Sequence, residues 1–311
     1  MNWRIKARIQ QAAALLPESL SLPFYYGLQR TFGGLRKGTL SPIMHLDKAA
    51  EVASLLERCG FDLQGKTALE IGTGRTVNFP LGLWLMGADR IITVDLNPYL
   101  VGSLVMESLA CFRSQYAEIM NLFHSREIIP RQDRVDFLLN FKGDLEELLR
   151  ETGIEYLAPA DASQISIGDG DIDVHISMDV LEHIPEVCMK NILNEAKRVV
   201  NRSGVLVHFI DPSDHFSHSD RRITAINFLE FSDEQWKEIA GNRFMYHNRL
   251  RVADFEQIFL NSGYRFIHKE KTVDHVALDA LIRGFSVHSA FKDYSLEELA
   301  TTYVKTVAAP V

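Results

Sequence analysis

One stretch constrains the fold more than any other, Lys66–Leu100, which reads KTALEIGTGRTVNFPLGLWLMGADRIITVDLNPYL. Thr67–Ile71 is a short apolar run that carries Glu70 and leads directly into Gly72 and Gly74. A helix-like segment follows from about Pro80, and a second apolar run ends at Asp95. Strand, glycine turn, helix, strand is the repeating unit of a parallel sheet, in which a helix carries the chain back across one face. Glycine at 72 and 74 permits backbone angles and close approaches that a Cβ would block. A ligand can therefore lie against the main chain at the carboxyl end of the first strand.

Asp95, about twenty residues past the turn, is placed to accept hydrogen bonds from both hydroxyls of a ribose. Dinucleotide enzymes share that logic, but their G-x-G-x-x-G fingerprint needs a glycine where this chain has Val77. Glu70, just before the turn, would repel a phosphate and attract a cation. A cationic nucleoside without phosphate fits these residues better than NAD does.

Glu70-Ile71-Gly72-Thr73-Gly74-Arg75-Thr76 resembles the first motif of the class I S-adenosylmethionine-dependent methyltransferases, E/D-x-G-x-G-x-G, with Thr76 in place of the third glycine. Ala160-Asp161-Ala162 resembles the adenine-binding motif of that family. DVHISMDVLEHIP, residues 173–185, is similar to its fourth-strand motif, and LNEAKRVVNRSG, residues 193–204, to the helix and turn before its fifth strand. The resemblance implies S-adenosylmethionine as cofactor and S-adenosylhomocysteine as product. It places Glu70, Gly72, Thr73 and Gly74 at the amino-acid end of the cofactor, Asp95 on the ribose and Leu96 on the adenine. Asp161 and Ala162 would hold the adenine edge, and Ser177, Met178 and Asp179 the floor beneath the reactive methyl.

Strand and helix patterns alternate beyond this unit, with strands expected at 154–157, 172–178, 205–210, 264–268 and 301–308. Ile172–Met178 is apolar on both faces, as an inner strand of a parallel sheet should be. Helices are expected at 3–16, 47–59, 142–151, 187–200, 252–261 and 295–299, with one long helix from Pro98 to His124. Pro23–Thr39, aromatic and basic, reads as a lid or an irregular packing segment. The expected fold is α/β, a doubly wound, mostly parallel seven-stranded Rossmann-like sheet with helices on both faces. Residues 1–60 form a helical N-terminal extension or lid. Residues 61–311 form the methyltransferase-type domain, with insertions at about 125–153 and at 211–250, the latter a cap on the acceptor side after the fifth strand.

Charge and cysteine usage narrow the surroundings. Lys plus Arg number 33 against 41 Asp plus Glu, a formal charge of −8 without long runs, so no nonspecific nucleic-acid surface is expected. Cys59, Cys111 and Cys188 form no CxxC pair, which fits buried thiols in a reducing compartment. No run reaches the length of about 18 apolar residues that a membrane span needs, so the cytoplasm is the default and no stable membrane insertion is expected. The N-terminal helix could pair two protomers as a homodimer.

The loop from Asp211 to Asp220 leaves the fifth strand at the edge where open α/β sheets place ligands. His215 is the leading general base there, with Asp214 or Asp211 to orient it; His218 is second, and His183 or His247 could contribute from other loops. Asp214, His215, His218 and Asp220 are also plausible metal ligands. They lack the i, i+4 pair of a helical zinc site and any Cys, so no metal is expected. Arg221, Arg222, Arg243, Arg249 and Arg251 read as surface or structural ion pairs, with a guanidinium set for an acidic acceptor as the alternative. The stretch from Asp214 through Asn248-Arg249-Leu250 is similar to acceptor regions of bacterial methyltransferases from surface-polysaccharide and secondary-metabolite gene clusters. Together these features lead to methyl transfer onto oxygen of a small molecule or sugar. Transfer to nitrogen of an amine, or a non-catalytic S-adenosylmethionine-binding protein, are the alternatives.

Overall fold

The computed structural model describes residues 1–311, apart from the side chain of Glu18. The chain opens with α1 (Trp3–Ala14), α2 (Glu18–Phe32) and α3 (Ile43–Arg58), then β1 (Thr67–Ile71), α4 (Asn78–Leu85) and β2 (Arg90–Val94). Four helices follow, α5 (Gly102–Ser114), α6 (Tyr116–Ser125), α7 (Gln132–Asn140) and α8 (Leu145–Thr152), before β3 (Ile154–Leu157) and β4 (Ile172–Met178). Next come α9 (Glu186–Val199), β5 (Val200–Ile210), α10 (Asp233–Ala240), α11 (Val252–Asn261) and β6 (Tyr264–Val273). The chain closes with α12 (His275–Ile282), α13 (Leu296–Leu299) and β7 (Thr301–Pro310).

The strands form one seven-stranded sheet in the order β3-β2-β1-β4-β5-β7-β6, parallel except for β7, which runs antiparallel to both neighbours. Strand composition explains the inner part: RIITV in β2 is β-branched and IDVHISM in β4 is buried over most of its length. The chain leaves β1 outward to β2 and β3, then crosses back to place β4 on the other side of β1. A topological switch point therefore lies between β1 and β4, and open sheets bind ligands beyond the carboxyl ends of the strands there. Register brings those ends level, because Ile71 sits opposite both Val94 and Ser177.

One face of the sheet is covered by α3 to α8, with Leu46, Leu56, Leu83, Phe123 and Leu148 in its core. The other is covered by α9 and α11, through Met189, Leu193, Phe255 and Phe259. A third apolar cluster lies outside the sheet and joins α1 to the segment after β5. Trp3 and Ala7 pack there with Phe216, Phe228, Trp236 and Leu281. Trp3 N–H donates to Asp220 at 2.9 Å and ties the start of α1 to that segment.

Several element expectations are corrected. The single helix expected from Pro98 to His124 is two, broken at Gln115, because α5 packs toward α7 and α8 while α6 turns Ile119 and Phe123 toward α3. The segment before β3 holds two helices rather than one, and Val135, Leu138 and Leu148 bury into the main core. Pro23 lies inside α2 rather than in an irregular segment. The segment after β5 contains α10, started by a Ser232–Gln235 capping box, which its mixed polar and aromatic composition concealed.

Candidate active site

The turn after β1 has the backbone that its glycines require. Gly72 has φ +93° and Gly74 φ +69°, both in the left-handed region that L side chains avoid. A Cβ on Gly72 would lie 2.5 Å from Val180 Cγ2, so the end of β1 meets the residue just past β4 at the switch point. Space is open where a Cβ on Gly74 would stand. Gly74 N–H donates to Asp95 Oδ2 at 3.0 Å and Asn97 N–H to Asp95 Oδ1 at 3.1 Å, which orients the carboxylate at the end of β2. Burial pushes this carboxyl up, against the pull of those N–H groups and the Arg75 guanidinium.

Glu70 is buried and accepts from the Thr93 hydroxyl, which lies 2.6 Å from the Thr73 hydroxyl. Burial pushes its carboxyl up to about 8. That shift works against the full negative charge expected at this strand end.

The loop after β3 is held against β2. Asp95 N–H donates to Leu157 O and Ala160 N–H to Asp95 O, both at 3.0 Å. Asp161 is exposed and accepts from Ser163 N–H at 2.8 Å, while Ala162 is buried and Leu96 is 68% exposed. Asp95, Leu96, Asp161 and Ala162 thus share one edge with the glycine turn. Sequence reasoning missed what lies over it: the Arg75 guanidinium sits 5.0 Å from the ring centres of both Tyr26 and Tyr99, and Arg75 Nη2 donates to Gln29 Oε1 at 3.4 Å. Through Tyr26 and Gln29, α2 closes on the turn.

On the β4 side, Ser177 Oγ pairs with His208 Nδ1 at 2.7 Å inside the sheet, so only its backbone faces the cleft edge. Met178 is half-buried, and Asp179 follows with φ +55°. Tyr303 OH donates to Asp179 Oδ1 at 2.8 Å, and Lys48 makes an ion pair with the same carboxylate while lying 2.9 Å from the Tyr303 oxygen. Lys48 on α3 and Tyr303 on β7 stand in no sequence relation to Asp179, and no motif signals them.

Beyond β5 the histidines converge. His215 stands 4.8 Å, ring centre to ring centre, from both His183 and His218, and 5.0 Å from His247. Asn248 assembles the group: its Nδ2 donates to Leu181 O at 2.8 Å and Ile184 O at 3.0 Å, and its N–H to Glu182 O at 2.8 Å. That pins the 246–248 loop onto the turn holding Glu182 and His183. His183 Nδ1 pairs with Tyr246 O at 2.7 Å, and Arg249 N–H donates to His247 Nδ1 at 3.1 Å. Asp211 Oδ2 lies 3.5 Å from Nε2 of both His215 and His218. Burial alone would push the Asp211 carboxyl up, but His215 and Ser213 hold it well below the usual carboxylate range. Glu182 is fully buried with neither side-chain oxygen hydrogen-bonded, and burial, followed by the nearby Asp179 and Asp211 carboxylates, pushes it up.

Asp211, not Asp214, is thus the carboxylate facing His215. Asp214 is turned inward, accepting from Phe216 N–H at 2.8 Å and Asn227 Nδ2 at 3.3 Å, and burial pushes it up to about 6. Asp220 is engaged by Trp3 and Arg222, so the Asp214, His215, His218, Asp220 grouping does not assemble. Two of the arginines are structural: Arg249 donates to Phe228 O and Phe231 O and pairs with Asp233, and buried Arg251 donates to Pro212 O at 2.7 Å. An open groove of about 510 Å³ lined by Trp84, Asp89, Arg134 and Gly153 lies at the opposite, amino edge of the sheet.

Residues 134–208, from α7 into β5, match the family model described as methyltransferase domain. The match takes in Asp179, Glu182 and His183 and stops short of Asp211. No curated protein sequence matches the chain. Among solved structures, it is similar to a protein of Pyrococcus horikoshii OT3 at 13% identity and TM-score 0.49, covering 93% of this chain and 99% of that one. It is also similar to an S-adenosylmethionine-dependent methyltransferase of Mesorhizobium loti at 16% identity and TM-score 0.43, covering 85% and 99%. A third is geranyl diphosphate C-methyltransferase of Streptomyces coelicolor A3(2), at 10% identity and TM-score 0.47, covering 84% and 79%.

Proposed function

We propose that the chain transfers a methyl group from S-adenosylmethionine to a hydroxyl of a small molecule or sugar. The observation that carries the cofactor is the pairing of Gly74 N–H with Asp95 Oδ2 between the ends of β1 and β2, beside the open space above Gly74. The turn leaves room for a nucleoside, and Asp95 retains acceptor capacity for ribose hydroxyls. Asp161 and Ala162 stand at the adenine edge, and Asp179 is fixed at the floor by Lys48 and Tyr303.

The cofactor supplies an activated methyl: its S–CH3 bond breaks as the O–CH3 bond forms, leaving S-adenosylhomocysteine, while the acceptor hydroxyl loses its proton. The protein's part is to hold the two reactants in line, which can supply much of the acceleration. The histidine group at the end of β5 lines the acceptor side, and His215, facing Asp211, takes part in removing that proton.

Calorimetric titration with S-adenosylmethionine, S-adenosylhomocysteine and NAD, in the presence of chelator, tests the cofactor reading. Binding of the first two but not NAD is expected, and Asp95→Ala should weaken it by about 1.5–3 kcal/mol, the range for hydrogen bonds to a charged group. Unchanged affinity in Asp95→Ala would remove the ribose assignment. His215→Ala should keep cofactor affinity and lower turnover by about 10²–10⁴, measured as methylated product mass with hydroxylated acceptors. Equal loss of affinity and turnover would place His215 in the fold instead.

A further inference from the structure

We propose that Asp211, His215 and His218, together with Glu182 and His183, form a binding site for one divalent first-row transition-metal ion at the acceptor end of the cleft. The inference deepens the methyl-transfer reading and rests on it for the ion's role, though not for its binding.

Spacing is the first argument. Bonds from such ions to imidazole nitrogen and carboxylate oxygen are about 2.0–2.2 Å, which puts neighbouring ligand atoms about 3.0–3.5 Å apart around a tetrahedral or octahedral ion. Asp211 Oδ2 stands 3.5 Å from the Nε2 atoms of both His215 and His218, long for a hydrogen bond and right for two ligands of one ion. Glu182 and His183 stand near at a looser spacing: one ligand atom from each of Glu182, His183 and His215 lies within 4.8 Å of the others, a gap that binding an ion would have to close.

Unpartnered buried atoms are the second, independent argument. Both Glu182 carboxylate oxygens and His215 Nε2 are buried without a hydrogen-bond partner. Buried polar atoms are nearly always paired, and each exception calls for a bound partner or a function. His183 supplies a third argument through its tautomer. Its Nδ1 lies 2.7 Å from the Tyr246 carbonyl, so Nδ1 carries the hydrogen and Nε2 presents its lone pair toward the cluster. His247 is set the other way, with Nδ1 accepting from Arg249 N–H, and is therefore a neighbour rather than a ligand.

Mixed imidazole and carboxylate donors favour zinc, cobalt or manganese over magnesium and calcium, which take oxygen ligands. The His218 side chain is 53% exposed against 16% for those of His215 and Asp211, so the site opens on the His218 side. With five protein ligands an octahedral shell has one position left, and an acceptor hydroxyl can fill it there. A hydroxyl bound to the ion gives up its proton to solvent water more readily than a free one, and its oxygen then takes the methyl. His215 acts in this scheme as a ligand, not as a free base.

The test uses the full chain, stripped with chelator, dialysed and titrated calorimetrically with zinc chloride without cofactor; cobalt chloride gives a parallel visible-absorption readout. One saturable site per chain is expected, with magnesium and calcium chlorides failing to compete. Asp211→Asn and His215→Ala should weaken zinc binding by about 100-fold, as strongly as the loss of orienting partners at other metal sites or more. Glu182→Gln, isosteric and able to keep the fold, should weaken it as well, and circular dichroism checks each variant. His124→Ala, exposed on α6, is the control and should bind as the parent does. Absence of saturable zinc binding, or zinc affinity unchanged in both Glu182→Gln and a folded Asp211→Asn, overturns the site. S-adenosylmethionine titration of the same stripped protein separates the two readings. Zinc bound without cofactor bound keeps the ion site and sinks methyl transfer, whereas cofactor bound without zinc sinks the ion site alone.

Discussion

Gly72→Ala probes the point where β1 and β4 meet, and its cost can be worked from two separate features. The residue sits at φ +93°, where an L side chain costs about 1–3 kcal/mol. The new Cβ would also stand 2.5 Å from Val180 Cγ2 and 3.3 Å from Cγ1, an overpacking of the kind that costs about 1–3 kcal/mol. Gly72→Ala should therefore destabilise by about 2–6 kcal/mol in all. Val180→Ala alone removes two half-buried methyl groups and should cost about 1 kcal/mol, at about 0.8 kcal/mol per fully buried methylene. Val180 Cβ itself is 3.5 Å from the Gly72 Cβ position, an ordinary contact, so truncation removes the clash and leaves the backbone strain. The double variant should accordingly be less destabilised than the sum of the singles by about 1–3 kcal/mol. Urea unfolding of the four proteins, followed by circular dichroism, measures this coupling. Additivity within about 0.5 kcal/mol would refute the claim that the Val180 contact requires glycine at 72.

Two further predictions concern the end of β1 and the histidine loop. Glu70 has its carboxyl pushed from 4.5 up to about 8, with the Thr93 hydroxyl and the Asp95 carboxylate as its neighbours. The folded chain therefore holds a proton that the unfolded chain releases: the stability is fully present below about pH 4.5 and is lost as pH rises through about 8. At about 1.36 kcal/mol per pH unit the span amounts to on the order of 4–5 kcal/mol, and Glu70→Gln should flatten that slope in unfolding curves taken from pH 5 to 8. Parallel slopes in parent and variant would show the carboxyl ionised. Asn248→Ala removes the bonds to Leu181 O and Ile184 O and should cost about 1–3 kcal/mol in urea unfolding, with a loss of product formation. A cost below about 0.5 kcal/mol would mean that the loop is positioned by packing instead.

What could be read from the residue order followed the range of the interactions involved. The strand ends, Gly72, Gly74 and Asp95 lie within one strand-turn-helix-strand unit, so local spacing was enough to place them on one edge. Ile172–Met178 and Val252–Asn261 were equally legible, one from apolar residues on both faces and the other from helical periodicity closed by Gly263. The break at Gln115 was not, because helical spacing continues through it and only the separate docking of α5 and α6 divides them. The histidines were legible as residue types, but their partners were not. Asp211 and Asp214 are both near His215 in sequence. The choice between them is made by Asn227 and the Phe216 N–H, which draw Asp214 inward. Lys48 and Tyr303 reach Asp179 from α3 and β7, a relation that exists only once the sheet is closed by its antiparallel strand.

That difference in range separates the two ends of the cleft physically. The proposed cofactor edge rests on contacts internal to the parallel sheet, whereas the proposed acceptor end depends on the loop after β5, the 246–248 loop and α1, which buries Trp3 against Phe216. Charge follows the same division. Asp179 is paired by Lys48 and Tyr303, so the negative charge at the floor is already answered from α3 and β7. Among the described residues Asp211 and Glu182 have no Lys or Arg ion pair and stand beside imidazoles instead. Histidine lowers the cost of a buried carboxylate fully only when it carries a proton, and burial lowers that tendency in His183, His218 and His247 alike. An ion bound between Asp211 and Glu182 would supply positive charge there while giving the Glu182 oxygens the partner they lack.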